Sequence, residues 1–385
     1  MTNPPKIALV YDWADTAFGG AERVLMALHA AFPQAPLFTS IYCPRSARWA
    51  RDFVVIPSWL QKIQFKCQLR KWLVWLMPIA FESFSLDSFE IVISVTSAAA
   101  KGVLTKPHQL HLCYLLTPPR FVYQSQKILF AAHPWLKLPL VSQLATLALK
   151  SFAQWDKIAI TRPDVIVPIS RRVSLQTQKN YSLKTSQPIY LPVENSFFST
   201  SLSTSHSPPT SESYVLLISR LVPYKNIDQA IIACETMGQK LVVIGSGSDW
   251  AYLNSFKKTK TEFLGQVTNE QRLKYMQNSM CVLIPGEEDF GIVALEANAL
   301  GKPVIIHHAS GAAELITDSL HGVHLTTGSS QEIIIAIQKI RQHQWDPMVL
   351  RKNVEKYDTT SFVRQFRMTI DQYWQLSTPS VEQLA

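Results

Sequence analysis

The densest set of groups able to do chemistry is the stretch Pro285–Val304, PGEEDFGIVALEANALGKPV. Phe290 and Gly291 close a loop after the apolar run Cys281–Ile284, and a helix-period segment follows to about Leu300. Gly301 suits the left-handed position beyond a helix end, and Pro303 stops it. The opening turn of such a helix has N–H groups without intrahelical partners. Here they fall around Asp289, Phe290, Gly291 and Ile292, a natural seat for an oxygen-rich ligand. Glu288 stands just before the helix and Glu296 two turns in. A glutamate among Ile292, Val293, Leu295 and Ala299 is costly unless something hydrogen-bonds it, and ribose hydroxyls would do so. Glu288 by itself also fits ordinary acidic placement at a helix start.

A second stretch is Ser219–Asn226, SRLVPYKN. Arg220 ends a strand-like run, and Lys225 precedes a helix that Asn226 is expected to cap. Two cations on one strand-to-helix loop can hold a diphosphate and stabilise it as it leaves. In isolation the same pair also reads as solvated surface charge. Gly19-Gly20-Ala21-Glu22-Arg23 follows the first apolar run, where paired glycines let a ligand approach the backbone and a helix N-terminus. Val243-Ile244-Gly245-Ser246-Gly247 is half a dinucleotide fingerprint. Trp250 occupies the place of its third glycine, which argues against NAD.

These groups need a scaffold of parallel sheets. Short β-branched runs alternate with helix-period stretches: Ile7–Val10, Ile91–Val95, Leu112–Leu116, Val165–Val167 and Ile189–Leu191 in the first half. Val215–Ser219, Leu241–Ile244, Cys281–Ile284 and Val304–Ile306 follow in the second. Helices are expected at Ala21–Phe32, Ile227–Met237 and Ile292–Leu300. Strands apolar on both faces and separated by helices imply α/β domains with right-handed crossovers. Ser199–Ser213, STSLSTSHSPPTSES, is polar, has no apolar period and reads as a linker. The expected division is residues 1–198, linker 199–213, a second domain 214–361, and a helical segment 362–385 that includes Phe362–Leu376. Ligands of such sheets bind beyond the carboxyl ends of the strands, and two domains put them in a cleft.

With 385 residues, 47% of them apolar, the chain can bury two cores, which excludes global disorder. The formal net charge of +9 points to an anionic partner. No nucleic-acid motif and no long Lys/Arg run is present, so nucleic acid is not expected. Trp59–Phe81 mixes Lys62, Lys66, Arg70 and Lys71 with Trp, Phe and Leu, and is too short in its uncharged part to span a bilayer. It fits either an interfacial helix on an anionic membrane surface or an ordinary helix with a solvated basic face. The five cysteines have no CxxC pair and no metal-ligand spacing. They are expected to be reduced thiols, and with no secretory signal legible a cytoplasmic location is expected, peripheral on the inner face of the membrane if the basic segment binds there.

Taken together, GGAERV, SRLVPYKN, VVIGSGSDW, FLGQV, PGEEDFGIVALEANALGKPVI and SGAAELI resemble, in order and spacing, glycosyltransferase family 4, the retaining GT-B enzymes. The resemblance covers nearly the whole chain, and SRLVPYK with GEEDFGIV looks like its mannosyltransferase-like branch. It implies a GT-B fold, two Rossmann-like domains facing across a cleft, with the last helix crossing back to the first domain. It implies transfer of a hexose from a nucleotide sugar, GDP-mannose by preference. The acceptor would be lipid-linked or an oligosaccharide in surface polysaccharide assembly, with no cofactor and no metal. By that resemblance Glu288 and the Phe290 and Gly291 amides would hold the hexose, and Glu296 the ribose. Arg220 and Lys225 would bind the diphosphate, Gly20 with Gly19 would approach it, and the backbone near Val267 would meet the base. Gly245, Asp289 and Ile292 would complete the donor side, while Asp12 and Arg120 fall on the acceptor side.

The family's His before Thr-Pro is replaced by Leu116, in Leu115-Leu116-Thr117-Pro118-Pro119-Arg120. The glycine pair expected near the donor sugar is Ser310-Gly311. His108 and His111 are the histidines near enough in sequence to stand in for the missing one, although a histidine beside a strand is more often structural. Arg120 and Tyr123 match the family's first-domain pattern, and each fits a structural or an acceptor role. The alternative function is a non-catalytic nucleotide-sugar-binding protein on the same fold.

Overall fold

The computed structural model describes residues 5–16, 19–67, 73–123, 139–202 and 213–377. They form two compact units, one running up to Leu191 and taking in the segment from Phe362 on, the other formed by Pro192–Ser361. Arg70, Lys71 and Trp72 of the basic aromatic segment, and residues 203–212 of the expected linker, lie outside the described residues.

The first unit is built on six parallel strands: β1 (Ile7–Tyr11), β2 (Leu37–Thr39), β3 (Val55–Pro57), β4 (Ile91–Thr96), β5 (Leu110–Leu115) and β6 (Val165–Pro168). Their order is β3-β2-β1-β4-β5-β6. Every residue of β4 and β5 is buried, as both-face helix cover requires. The second unit repeats the order with β7 (Tyr214–Ile218), β8 (Lys240–Ile244), β9 (Thr261–Gly265), β10 (Cys281–Ile284), β11 (Val304–His307) and β12 (Gly322–Leu325). Its sheet runs β12-β11-β10-β7-β8-β9. In each unit the order reverses at one place, between β1 and β4 and between β7 and β10. Loops leaving the two strands there diverge and open a crevice.

Four strands are absent from the sequence expectation. Leu37–Thr39 and Val55–Pro57 have only three residues each, while Thr261–Gly265 and Gly322–Leu325 are edge strands with polar or glycine positions. Ile189–Leu191 is not a strand: Pro188 and Pro192 flank it, and its fixed bonds are Ile189 N–H to the Pro168 carbonyl and Tyr114 Oη to the Ile189 carbonyl. The Tyr114 ring packs against Phe362 and Phe366 of the helix Thr359–Ser377, with centroids 5.9 and 5.6 Å away.

The cysteines correct another expectation. Cys43 and Cys67 are joined in a disulfide with Cα atoms 6.3 Å apart, while Cys113, Cys234 and Cys281 are free and buried. Cys43 follows β2 and Cys67 ends the excursion after β3, so the fold returns the chain to its start. No spacing motif announces such a pair, and cysteine usage therefore no longer argues for a reducing compartment. Among the described residues no helix is long and apolar enough to cross a membrane.

Candidate functional site

The loops after β7 and β10 carry the charged residues of the second unit. Pro223–Lys225 is a single tight turn, and Asn226 takes a left-handed conformation (φ 50°) before the helix Ile227–Met237. Asn226 makes no side-chain cap, contrary to expectation; its backbone, not its amide, starts the helix. The turn buries Lys225 and leaves Arg220 exposed, with Arg220 Nη2 donating to Tyr224 Oη at 2.9 Å. Lys225 Nζ is ion-paired with Glu288 Oε1 and sits 5.0 Å from the Tyr224 ring centroid. Strand adjacency brings these residues together, since the crevice between β7 and β10 is where their loops meet.

Gly286 makes the approach possible. A Cβ built there would lie 2.5 Å from the Tyr224 carbonyl oxygen and 2.6 Å from Lys225 Cα. Any side chain would push the Lys225 turn away from Glu288. The loop after β11 then fixes Glu288 from behind. Glu288 N–H donates to Ser310 Oγ at 3.1 Å, and Gly311 N–H to the Glu288 carbonyl at 3.0 Å. Ala312 N–H donates to the Phe290 carbonyl at 2.6 Å. Asp289 and Phe290 are buried, and Gly291 (φ 93°) leads into the helix Ile292–Ala299. Ser310, which the resemblance places near the donor sugar, and Gly286, which the sequence offers only as loop punctuation, are positioning residues.

Glu296 is fully buried in that helix, and Arg272 holds it through two bonds, Nη1 to Oε2 at 2.8 Å and Nη2 to Oε1 at 3.2 Å. The sequence reading supplies ribose as the partner for this carboxylate; the structure supplies a guanidinium. The signal was present, because Arg272 shares a helix face with Met276, four residues on, and both are buried. Val267 is half-buried and precedes the Thr268 cap of the helix Asn269–Asn278. Gly245 (φ 140°) packs its α-carbon on the Ser219 carbonyl, and its N–H donates to the Gly265 carbonyl at 2.8 Å. It welds the ends of β7, β8 and β9 together, and that packing accounts for the glycine.

In the first unit the charged groups at the crevice are already committed. Asp12, after β1, is buried and accepts from Thr96 Oγ1 (2.9 Å) and the amides of Ser97 (2.6 Å), Ala98 (3.0 Å), Ala99 (2.8 Å) and Ala100 (2.8 Å). Its carboxylate stitches the ends of β1 and β4, an occupation different from the acceptor-side one. Gly19 N-caps the helix Gly20–Ala31, but the buried Glu22 turns its own carboxylate back on the Gly19 and Glu22 amides. It also accepts from Tyr11 Oη and Thr16 Oγ1, both at 2.9 Å. Burial pushes the Glu22 carboxyl up, against these hydrogen bonds. A Cβ on Gly20 would meet Leu191 at 3.8 Å. The anion seat that the glycine pair offers is thus covered by an internal carboxylate.

Arg120 is half-buried at the start of the short helix Arg120–Tyr123. Tyr123 Oη donates to Asp156 Oδ2 at 2.9 Å, Tyr181 Oη to the same oxygen at 2.6 Å, and Lys101 Nζ lies 2.6 Å from Oδ1. Tyr123 therefore serves a buried structural hub. His108 and His111 stand at the start of β5, whereas Leu116 follows its carboxyl end. His111 is buried, its Nε2 is 2.9 Å from Ser94 Oγ, and burial pushes its imidazole down to about 3. Neither histidine occupies the place of the missing one. Among the described residues no three His, Cys, Asp or Glu side chains are grouped to hold a metal ion.

Solved structures share this fold. Anabaena HepE, solved with UDP-glucose, superimposes with a TM-score of 0.65 at 17% identity over 96% of this chain and all of that one. The chain has the GT-B fold. Residues 199–357, almost the whole second unit of this GT-B chain, match the family described as glycosyl transferases group 1. An uncharacterized glycosyltransferase of Methanocaldococcus jannaschii is 32% identical over 139 residues, 34% of this chain and 36% of that protein. A GDP-mannose-dependent alpha-mannosyltransferase of Mycobacterium tuberculosis is 31% identical over 120 residues, 31% of this chain and 32% of that protein. The matched segments thus span about a third of the length of these curated relatives.

Proposed function

We propose that this GT-B chain is a retaining, metal-independent hexosyltransferase. It moves mannose from GDP-mannose to a lipid-linked or oligosaccharide acceptor in surface polysaccharide assembly. The observation that carries the reading is the Lys225–Glu288 ion pair at the β7/β10 crevice, with Arg220 and Tyr224 beside it. A diphosphate entering there exchanges Glu288 for its own oxygens at Lys225 and recruits Arg220 as a second donor. Glu288, released, turns to the hexose hydroxyls, its backbone still held by Ser310 and Gly311. As the bond from the anomeric carbon to the phosphate oxygen breaks, negative charge grows on the diphosphate and the two cations stabilise it. The acceptor oxygen bonds to the anomeric carbon on the face that the diphosphate leaves, and its proton passes to a diphosphate oxygen. The mannose donor is favoured by the mannosyltransferase relative and by GEEDFGIV.

Thermal stabilisation by a panel of nucleotide sugars in EDTA tests the reading. A ligand at 100 times its Kd adds about 2.7 kcal/mol of stability. GDP-mannose is expected to shift Tm by several degrees, with the shift lost in Glu288→Ala, and to yield glycosylated product with a lipid-linked acceptor. A shift that disappears in EDTA, or that only an unrelated ligand produces, overturns it. Leu116, half-buried at the end of β5 where the family places a histidine, favours a second reading, nucleotide-sugar binding without transfer. Stabilisation by GDP-mannose with no product from any acceptor would establish that one.

An anionic membrane surface is the proposed partner of the first unit. Trp59, Phe65, Leu76 and Ile79 expose large apolar surfaces, Phe65 by 64% and Ile79 by 59%, and Lys62 of the same segment is exposed. Exposed aromatics with lysine suit the headgroup boundary. Sedimentation with phosphatidylglycerol vesicles, reversed by salt, is expected; equal binding to neutral vesicles would refute the electrostatic part.

A further inference from the structure

Arg272 and Glu296 form a second buried charged pair of the second unit. Glu296 has a fully buried side chain, and the Arg272 side chain is 11% exposed. The two bonds between them are those of a guanidinium fork on a carboxylate, a geometry that fixes both partners in a plane. A third element locks the arginine: its guanidinium carbon lies 5.2 Å from the Phe197 ring centroid. The helix that carries Arg272 has a reciprocal capping box, Thr268 with Gln271, so its start is fixed to within one turn of Val267.

We infer that Arg272 is a positioning residue for the nucleoside half of the site, holding Glu296 in one orientation and joining it to the segment at Val267. The inference rests on the reading of Glu296 as the ribose partner. A glutamate in that helix without a counter-ion would be a lone buried charge, free to choose among rotamers. With the fork in place the carboxylate has one direction, and its charge is balanced. The pair presents itself through Arg272, since Glu296 has no exposed surface of its own. A ribose hydroxyl therefore meets the pair on its Arg272 side, with Glu296 fixing the direction of the fork, and a nucleotide lacking that hydroxyl leaves a donor unmatched.

The test is the affinity of the full chain for GDP against 2′-deoxy-GDP and 3′-deoxy-GDP, by calorimetry. The wild-type chain is expected to prefer GDP by about tenfold or more, the loss of one hydrogen bond to a charged group. Arg272→Met should reduce this preference as far as Glu296→Gln does, and the double variant no further. Arg272→Lys, which keeps the charge but not the fork, should fall between and serves if the methionine variant does not fold. Arg272→Met that keeps the full ribose preference while Glu296→Gln loses it overturns the inference alone. Glu296→Gln that keeps the preference overturns the ribose role of Glu296, and the role of Arg272 with it.

Discussion

Replacing Lys225 by alanine removes one half of the ion pair at the β7/β10 crevice and separates two effects that a single measurement would merge. The Lys225 side chain is 7% exposed and that of Glu288 is 22% exposed. Stripping one partner from a fully buried pair costs about 3–5 kcal/mol, because the other charge is left alone. Solvent reaches part of Glu288 and rehydrates it, which discounts the cost to about 2 kcal/mol. For a unit of this size that is a fall in Tm of about 4–8 °C. In Lys225→Ala/Glu288→Gln no lone charge remains, so most of the fall should be recovered. Transfer should not recover: the cation proposed to meet the departing diphosphate is missing in both proteins, a loss of about 10²–10³ in rate. Thermal unfolding and release of GDP from GDP-mannose in the presence of acceptor are the two readouts. If the double variant regains stability and rate together, Lys225 is only the counter-ion of Glu288 and the diphosphate role is wrong. If the single variant loses neither, the pair is solvated surface charge.

Gly286→Ala places a methyl 2.5–2.7 Å from the backbone of Tyr224 and Lys225. Overpacking of that kind costs about 1–3 kcal/mol. Affinity for GDP, measured by calorimetry, should fall with Tm, and unchanged affinity would show that the turn need not be seated. Asp12→Asn turns an amide toward the N–H groups of residues 97–100, losing charge-assisted bonds worth about 1.5–3 kcal/mol each. The first unit should melt at least 6 °C lower, with GDP affinity preserved; the reverse pattern would restore Asp12 to the ligand site. Glu332 accepts from the amides of Thr326 (2.6 Å), Thr327 (2.8 Å) and Gly328 (3.0 Å), and these bonds hold its carboxyl down at about 2. A carboxyl depressed on folding contributes stability above its unfolded pKa and loses it as pH falls through the folded one. Glu332→Gln should therefore lower Tm at pH 7, with the gap to wild type narrowing from pH 4.5 toward 2; a gap independent of pH would refute the assignment.

Element types were legible where the chain is strongly patterned. Cys281–Ile284 and Ile227–Met237 match the sequence reading residue for residue, because each has a clear period and bounding turn residues. Leu37–Thr39 and Val55–Pro57 were not legible, since three residues give no period and their strand character comes from pairing along β1 and β2. The site shows the same division. Glu288 and Lys225 stand out singly as charges beside apolar runs, but their meeting depends on β7 lying next to β10, which no local pattern encodes. Arg272 was hidden for a different reason. A cation near the start of a helix reads as surface charge, and only its phase with Met276 and the fully buried Glu296 turns it inward.

The two units have the same strand order, yet the charged groups at their crevices are held in opposite ways. At β1/β4 the carboxylate of Asp12 is satisfied by local donors, and the helix N-terminus at Gly19 is covered by Glu22. Displacing either would break several short bonds to fixed backbone, and an incoming anion would meet carboxylates. At β7/β10 the lysine and glutamate neutralise one another through a single side-chain contact on loops that the backbone holds in place. In the proposed exchange an anion replaces Glu288 at Lys225 without disturbing any strand, and the displaced glutamate turns to the sugar. Ligand exchange is thus inexpensive in the second unit and prohibitive in the first. That asymmetry favours the loops after β7 and β10 as the proposed seat of a diphosphate, and the Lys225 and Asp12 variants test it from opposite sides.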